Sequence, residues 1–165
     1  MESRFLKIKR EWYDIKELIE QVIDQLNYKS GNHQLVLSAS ADPPLVFIDF
    51  RLMQQTVLNL VNNAIQYTPP QTTFLISAIV EGEQLIITGR MMERKGIFNE
   101  DQDKIFNKFF RRAGTAAGGT GLGLSIVKGY AKAHGGRANV ENSHFHGAKF
   151  IISIPVYFKM ISEKE

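Results

Sequence analysis

Residues 118–125 read Gly-Gly-Thr-Gly-Leu-Gly-Leu-Ser and pass without a break into an apolar-periodic stretch that stops at Gly135-Gly136. Glycine lets a backbone approach an anion closely, and the first amides of a helix are unpaired at the positive end of its dipole. A loop of this kind opening a helix is suited to phosphate. A flexible linker before an ordinary helix has the same signature. Two other phosphate loops are excluded by context. A P-loop needs Lys and Ser or Thr after its last glycine, and a dinucleotide fingerprint needs a strand just before it, where residues 111–117 read as coil. The loop therefore needs support from elsewhere in the chain.

The rest of the chain mixes two periodicities. Residues 6–12 alternate as a short strand, and Asp14 can cap a helix reaching residue 27, with Ile15, Leu18, Ile19, Val22, Ile23 and Leu26 at helical spacing. Residues 34–40 and 45–48 read as strands around Asp42-Pro43-Pro44. Asp49 then caps a long helix over 50–67, stopped by Pro69-Pro70. Residues 73–80 and 84–88 form a hairpin across Glu81-Gly82-Glu83, residues 99–110 an amphipathic helix, 122–134 another, and 137–141 and 149–156 two closing strands. No regular βαβ repeat runs through this order. It predicts an α+β fold: a two-layer sandwich whose mixed, mostly antiparallel sheet carries helices on one face.

At 165 residues, 44% of them hydrophobic, the chain is long enough for one domain with a real core. Its 20 basic and 17 acidic residues are interspersed, which speaks against a nucleic-acid footprint. No apolar run approaches the roughly 18 residues of a membrane span, and residues 1–4 lack the layout of a signal peptide. With no cysteine, disulfides and thiolate metal sites are excluded. A cytoplasmic setting, without membrane contact by this domain, is the expectation.

On the predicted helix over 50–67, Gln55, Asn59, Asn63 and Gln66 fall at spacings of four, four and three, so four amides share one face. They either meet solvent or line a polar cavity. Amide oxygens are neutral, hard ligands, suited to a Mg²⁺ ion that keeps several waters and bridges phosphates. An amide stripe and a phosphate loop together make a nucleotide site.

These residues resemble a known family. Leu58-Asn59-Leu60-Val61-Asn62-Asn63-Ala64-Ile65-Gln66-Tyr67-Thr68-Pro69 is similar to the N box of sensor histidine kinases, Lys104-Ile105-Phe106-Asn107-Lys108-Phe109-Phe110-Arg111 to their F box, and Gly119-Thr120-Gly121-Leu122-Gly123-Leu124-Ser125 to their G2 box. The similarity covers almost the whole chain. It implies the Bergerat-type ATP-binding fold shared with gyrase, heat-shock chaperone and mismatch-repair ATPases, with ATP and Mg²⁺ as cofactors. By motif position, Asn63 would ligand Mg²⁺ and Asn59 would assist it or touch phosphate. Gly119, Gly121, Leu122, Gly123 and Leu124 would hold phosphates through backbone amides, and Tyr67 would border the nucleotide. Arg111 is either a phosphate-side cation or an exposed lid arginine. The hydrolytic relatives carry glutamate at the position of Asn59; an amide is a poor general base, which implies slow hydrolysis and transfer of the γ-phosphoryl group to a histidine.

One motif is incomplete. The family's G1 box, Asp-x-Gly-x-Gly, keeps its tail at Gly96-Ile97, but Met92 stands where the adenine-reading aspartate is expected and Arg94 where the first glycine is. Gln66 replaces a common phosphate-side lysine, and Ala148 a common threonine near the adenine. Weak or absent ATP binding follows, and a degenerate regulatory or docking module is the alternative reading. The resemblance also implies that the phosphoacceptor histidine lies on a helical hairpin outside this chain. His33, His134, His144 and His146 are expected to be surface or capping residues. Residues 1–9 are then a linker remnant, 10–158 the catalytic domain and 159–165 a tail, with the parent's hairpin and a response regulator as partners. No catalytic residue is expected within these residues, and autophosphorylation by this piece alone is not expected.

Overall fold

The structure, a computed structural model, describes residues 7–26, 34–39, 43–67, 73–91, 123–143 and 147–160. Its elements run β1 (Glu11–Asp14), α1 (Ile15–Leu26), β2 (Gln34–Ser38), β3 (Leu45–Ile48), α2 (Phe50–Tyr67), β4 (Thr73–Glu81), β5 (Gln84–Met91), α3 (Gly123–Ala133), β6 (Arg137–Ser143), β7 (Gly147–Pro155) and β8 (Phe158–Lys159). The helix expected over 99–110 lies outside the described residues.

The strands form two sheets. Five of them make the main sheet in the order β2-β4-β5-β7-β6, parallel between β2 and β4 and antiparallel elsewhere. A smaller sheet in the order β1-β3-β8 pairs antiparallel throughout. The α+β reading holds, with helices on one face of the main sheet. The separate small sheet is new, because its pairings join segments far apart in sequence and leave no mark in local periodicity. β5 also runs to Met91, three residues beyond the expected end, because Met91 still pairs with Phe74.

Alternation decides which sheet face is buried. Phe74, Ile76 and Ala78 of β4, Leu85 and Ile87 of β5, and Phe150, Ile152 and Ile154 of β7 all point to the helical side and are buried. The six apolar positions of α1 named above are buried with them, as are Leu60, Val61 and Ala64 of α2 and Leu124, Val127 and Ala131 of α3. Val46 and Ile48 of the small sheet join the same core. Burying a side chain of this size stabilises the fold by about 1.5–3 kcal/mol.

The helix ends are closed as the sequence suggests. Asp14 Oδ1 accepts from the amides of Lys16 (2.9 Å) and Glu17 (3.3 Å), capping α1. Asp49 Oδ1 accepts from the Leu52 amide at 3.1 Å, capping α2. α3 ends in a Schellman motif: Gly136 donates to the Ala131 carbonyl and Gly135 to that of Lys132, both at 2.9 Å, with Gly135 at a φ of +81°. At Gly89 of β5, a Cβ would fall 2.4 Å from the Phe74 ring and 3.2 Å from Leu60, so the missing side chain lets the Phe74 ring and α2 settle on the sheet.

Candidate functional site

α2 and α3 lie against each other on the sheet, and the expected site residues that fall among the described ones are split between them. On α2 the four-amide stripe divides. Gln55 and Gln66 at its ends are exposed, while Asn59 and Asn63 in its middle are half-buried. Asn59 Nδ2 donates to the Gln55 carbonyl at 2.7 Å, and Asn63 Nδ2 donates to the Asn59 carbonyl at 3.0 Å. A carbonyl accepts only from the NH₂ end of an amide, so both side chains are fixed with Oδ1 turned away from the helix backbone. Two neutral oxygens one turn apart are thereby held out from α2. Tyr67 closes the same helix.

Gly123 and Leu124 open α3. Leu124 is buried in the core, so its side chain anchors the first turn whose amides have no partner within the helix. Gly96, Arg111, Gly119, Gly121 and Leu122 lie outside the described residues, as do Met92 and Arg94. Among the described residues no group of three His, Cys, Asp or Glu is placed to hold a metal ion. No helix among them is long and apolar enough to cross a membrane.

His134 departs from expectation. It does sit at the end of α3, but it is 2% exposed, and its ring bridges two helices. Nε2 accepts from the Asp49 amide at 3.3 Å, which requires the proton on Nδ1, and Nδ1 donates to the Tyr130 carbonyl at 2.9 Å. Asp49 is a second junction: besides capping α2, its Oδ2 accepts from the Lys9 amide at 2.9 Å. The segment before β1, the start of α2 and the end of α3 thus meet at one buried carboxylate and one buried imidazole. No local pattern reveals this tie, since 85 residues separate its members.

Burial, with a smaller contribution from Arg10, lowers the His134 pKa below its ordinary 6.5, against the opposing pull of the Tyr130 carbonyl and Asp49. The folded state therefore holds the neutral ring. Above pH 6.5 neither state carries the proton and stability is complete; as pH falls below 6.5 the unfolded chain binds a proton that the folded chain refuses. Urea unfolding between pH 8 and pH 5 is expected to show stability declining below 6.5, with that part of the slope absent in His134→Gln. At pH 8 the variant should lose about 1–3 kcal/mol through the disturbed Asp49 and Tyr130 bonds. An unchanged slope in His134→Gln would assign the pH dependence to other groups.

The family described as histidine kinase-, DNA gyrase B-, and HSP90-like ATPase matches residues 48–157. The sensor-like histidine kinase SenX3 of Mycolicibacterium smegmatis is 33% identical over 150 residues, covering 87% of this chain and 38% of that protein. The sensor protein KdpD of Clostridium acetobutylicum is 29% identical over 152 residues, covering 90% of this chain and 17% of its own length. The chain therefore spans well under half of these relatives. Among solved structures, the nucleotide-free catalytic domain of the histidine kinase ThkA superposes with a TM-score of 0.79 at 27% identity, covering 89% of this chain and 95% of that one.

Proposed function

The chain belongs to the histidine kinase-, DNA gyrase B- and HSP90-like ATPase family, and from that premise we propose that it is the catalytic domain of a two-component sensor histidine kinase, passing the γ-phosphoryl group of ATP to a histidine outside these 165 residues. The observation that carries the reading is the pair of pinned amides on α2. Asn59 and Asn63 present oxygen, not nitrogen, away from the helix, the donor chemistry that a phosphate-bridging Mg²⁺ accepts. Asn63 would ligand the metal, and Asn59 would assist it or touch phosphate. Bound there, ATP would supply the phosphoryl group and its Mg²⁺ would neutralise phosphate charge.

The chain's own residues do the holding. Gly119, Gly121, Leu122, Gly123 and Leu124 would hold phosphate through backbone amides, Tyr67 and Gly96 would border the nucleotide, and Arg111 would be a phosphate-side cation or an exposed lid arginine; the buried Leu124 side chain keeps the first turn of α3 in place. Asn59 is a neutral amide and takes no proton from water, so hydrolysis is slow. Residues 1–9 serve as a linker, 10–158 as the catalytic domain and 159–165 as a tail, in a cytoplasmic setting. The partners are the parent's phosphoacceptor hairpin and a response regulator; ThkA has been solved in complex with the response regulator protein TrrA. Met92 and Arg94 weaken the adenine end. Those same two residues favour the second reading, a regulatory module that keeps the fold without binding ATP.

Asn63→Ala tests the metal assignment. Titration with a non-hydrolysable ATP analogue is expected to show about tenfold weaker binding in Mg²⁺ and little change in EDTA, a loss of about 1.4 kcal/mol. The helix should survive, since alanine is the better helix former and only one bond to the Asn59 carbonyl disappears. Equal losses with and without Mg²⁺ would remove the metal from Asn63.

A further inference from the structure

The main sheet has a second face, and no described helix covers it. Val36 of β2, Leu75 and Ile79 of β4, Ile86 of β5 and Ile151 of β7 point that way, Ile79 being 52% and Val36 42% exposed. At the centre of this face Ser77 and Thr88, directly opposite each other on β4 and β5, join their hydroxyls in a mutual hydrogen bond. That pair is already satisfied, so covering it costs little. Beside it stands an arrangement a sheet does not favour alone. Arg90 of β5 and Lys149 of β7 are cross-strand partners, both half-buried, and like charges directly opposite destabilise a sheet. Neither is in an ion pair among the described residues; Glu141 stands opposite Lys149 on its far side, and exposed Arg137 opposite Ser153.

We propose that this open sheet face docks an amphipathic helix of a partner protein, with apolar residues on the Val36, Leu75, Ile79, Ile86 and Ile151 surface and a carboxylate between Arg90 and Lys149. A helix laid on this face would add a third layer to the sandwich. Leu75 and Ile79 are about 13 Å apart along β4, roughly two and a half helical turns, so leucines seven to eight residues apart, about 10.5–12 Å along the helix, reach both with their side chains. The paired cations select acidic over basic partners. Among the described residues nothing exposed on this face is a Trp or Phe of the kind that enters a lipid headgroup layer. The face lies on the opposite side of the sheet from α2 and α3, so the proposal stands apart from the nucleotide reading.

The test uses the whole chain with methyl-labelled Ile, Leu and Val, titrated with a synthetic helical peptide carrying leucines at i, i+4 and i+7 flanked by glutamates, and with its lysine counterpart. The glutamate peptide is expected to shift the methyls of Val36, Leu75, Ile79, Ile86 and Ile151 and to bind about tenfold tighter than the lysine peptide, a preference that salt erodes. The double variant Arg90→Gln, Lys149→Gln should remove that preference, and Ile79→Asp, at an exposed site, should weaken both peptides without altering the circular dichroism. Equal binding of the two peptides, or no shift at these methyls, overturns the proposal. So does sedimentation showing that a second copy of the chain occupies the face, or charge-dependent adsorption of the face to phosphatidylserine vesicles.

Discussion

Valine at position 136 is expected to leave the chain without a cooperative thermal transition, and alanine there to lower stability by about 3 kcal/mol, near the upper end of overpacking costs. A Cβ on Gly136 would fall 2.0 Å from the Ser153 carbonyl oxygen, 2.6 Å from Ile154 Cγ2 and 2.7 Å from Ile154 Cα. Two of those atoms are backbone, so no side-chain rotation relieves the clash. Neither partner is able to retreat: Gly136 is tied to the Ala131 carbonyl, and β7 is clamped between β5 and β6 with Ile154 fully buried. For a chain of this length 3 kcal/mol corresponds to roughly 6–12 °C in Tm. Gly129 supplies the contrast in the same scan. A Cβ there meets nothing within 4 Å, and it sits inside α3, so Gly129→Ala should gain about 0.5–1 kcal/mol from helix propensity. A Gly136→Ala variant melting within 2 °C of the parent would show that β7 yields more readily than its pairing implies.

The second large effect concerns the adenine end. Converting Met92 to Asp and Arg94 to Gly together is expected to raise affinity for Mg²⁺ and a non-hydrolysable ATP analogue by about tenfold to a hundredfold. The reason is chemical: a carboxylate accepts the hydrogen bond that a thioether does not, worth on the order of 1–3 kcal/mol at a buried site, and glycine restores the residue that the motif carries at position 94. Met92→Asp alone should deliver part of the gain, with Arg94→Gly adding the rest. Isothermal calorimetry on the three variants reads both. No gain in the double variant would mean that Met92 and Arg94 do not occupy the positions the motif assigns them, and would favour the docking-module reading.

How much of this was legible in the sequence depends on whether a feature is local. The periodicity of residues 15–26 marks α1, Asp14 and Asp49 mark two caps, and Gly135-Gly136 marks a helix end, because helices and their caps are set by residues a few positions apart. The α2 amides are equally visible at spacings of four and three. Their division into an exposed outer pair and a half-buried inner pair is not, because that depends on packing within the folded layer, including α3, some sixty residues further along. The small sheet is hidden for the same reason: Glu11 pairs with Ile48, and Val46 with Phe158. His134 shows the limit most plainly. Beside two glycines at a helix end it reads as a surface cap, and only the return of β3 into Asp49 makes it a buried acceptor. The small residue at Gly89 likewise takes its meaning from Phe74, across the hairpin.

We propose a pocket that keeps its metal and phosphate residues and is weakened at its base end. Its most direct test is calorimetric titration of the unaltered chain with a non-hydrolysable ATP analogue in the presence of Mg²⁺. The predicted result is a dissociation constant of about 100 μM or weaker, a binding free energy no stronger than about −5.5 kcal/mol. A low-micromolar constant would contradict it and show that Met92 and Arg94 leave adenine recognition whole.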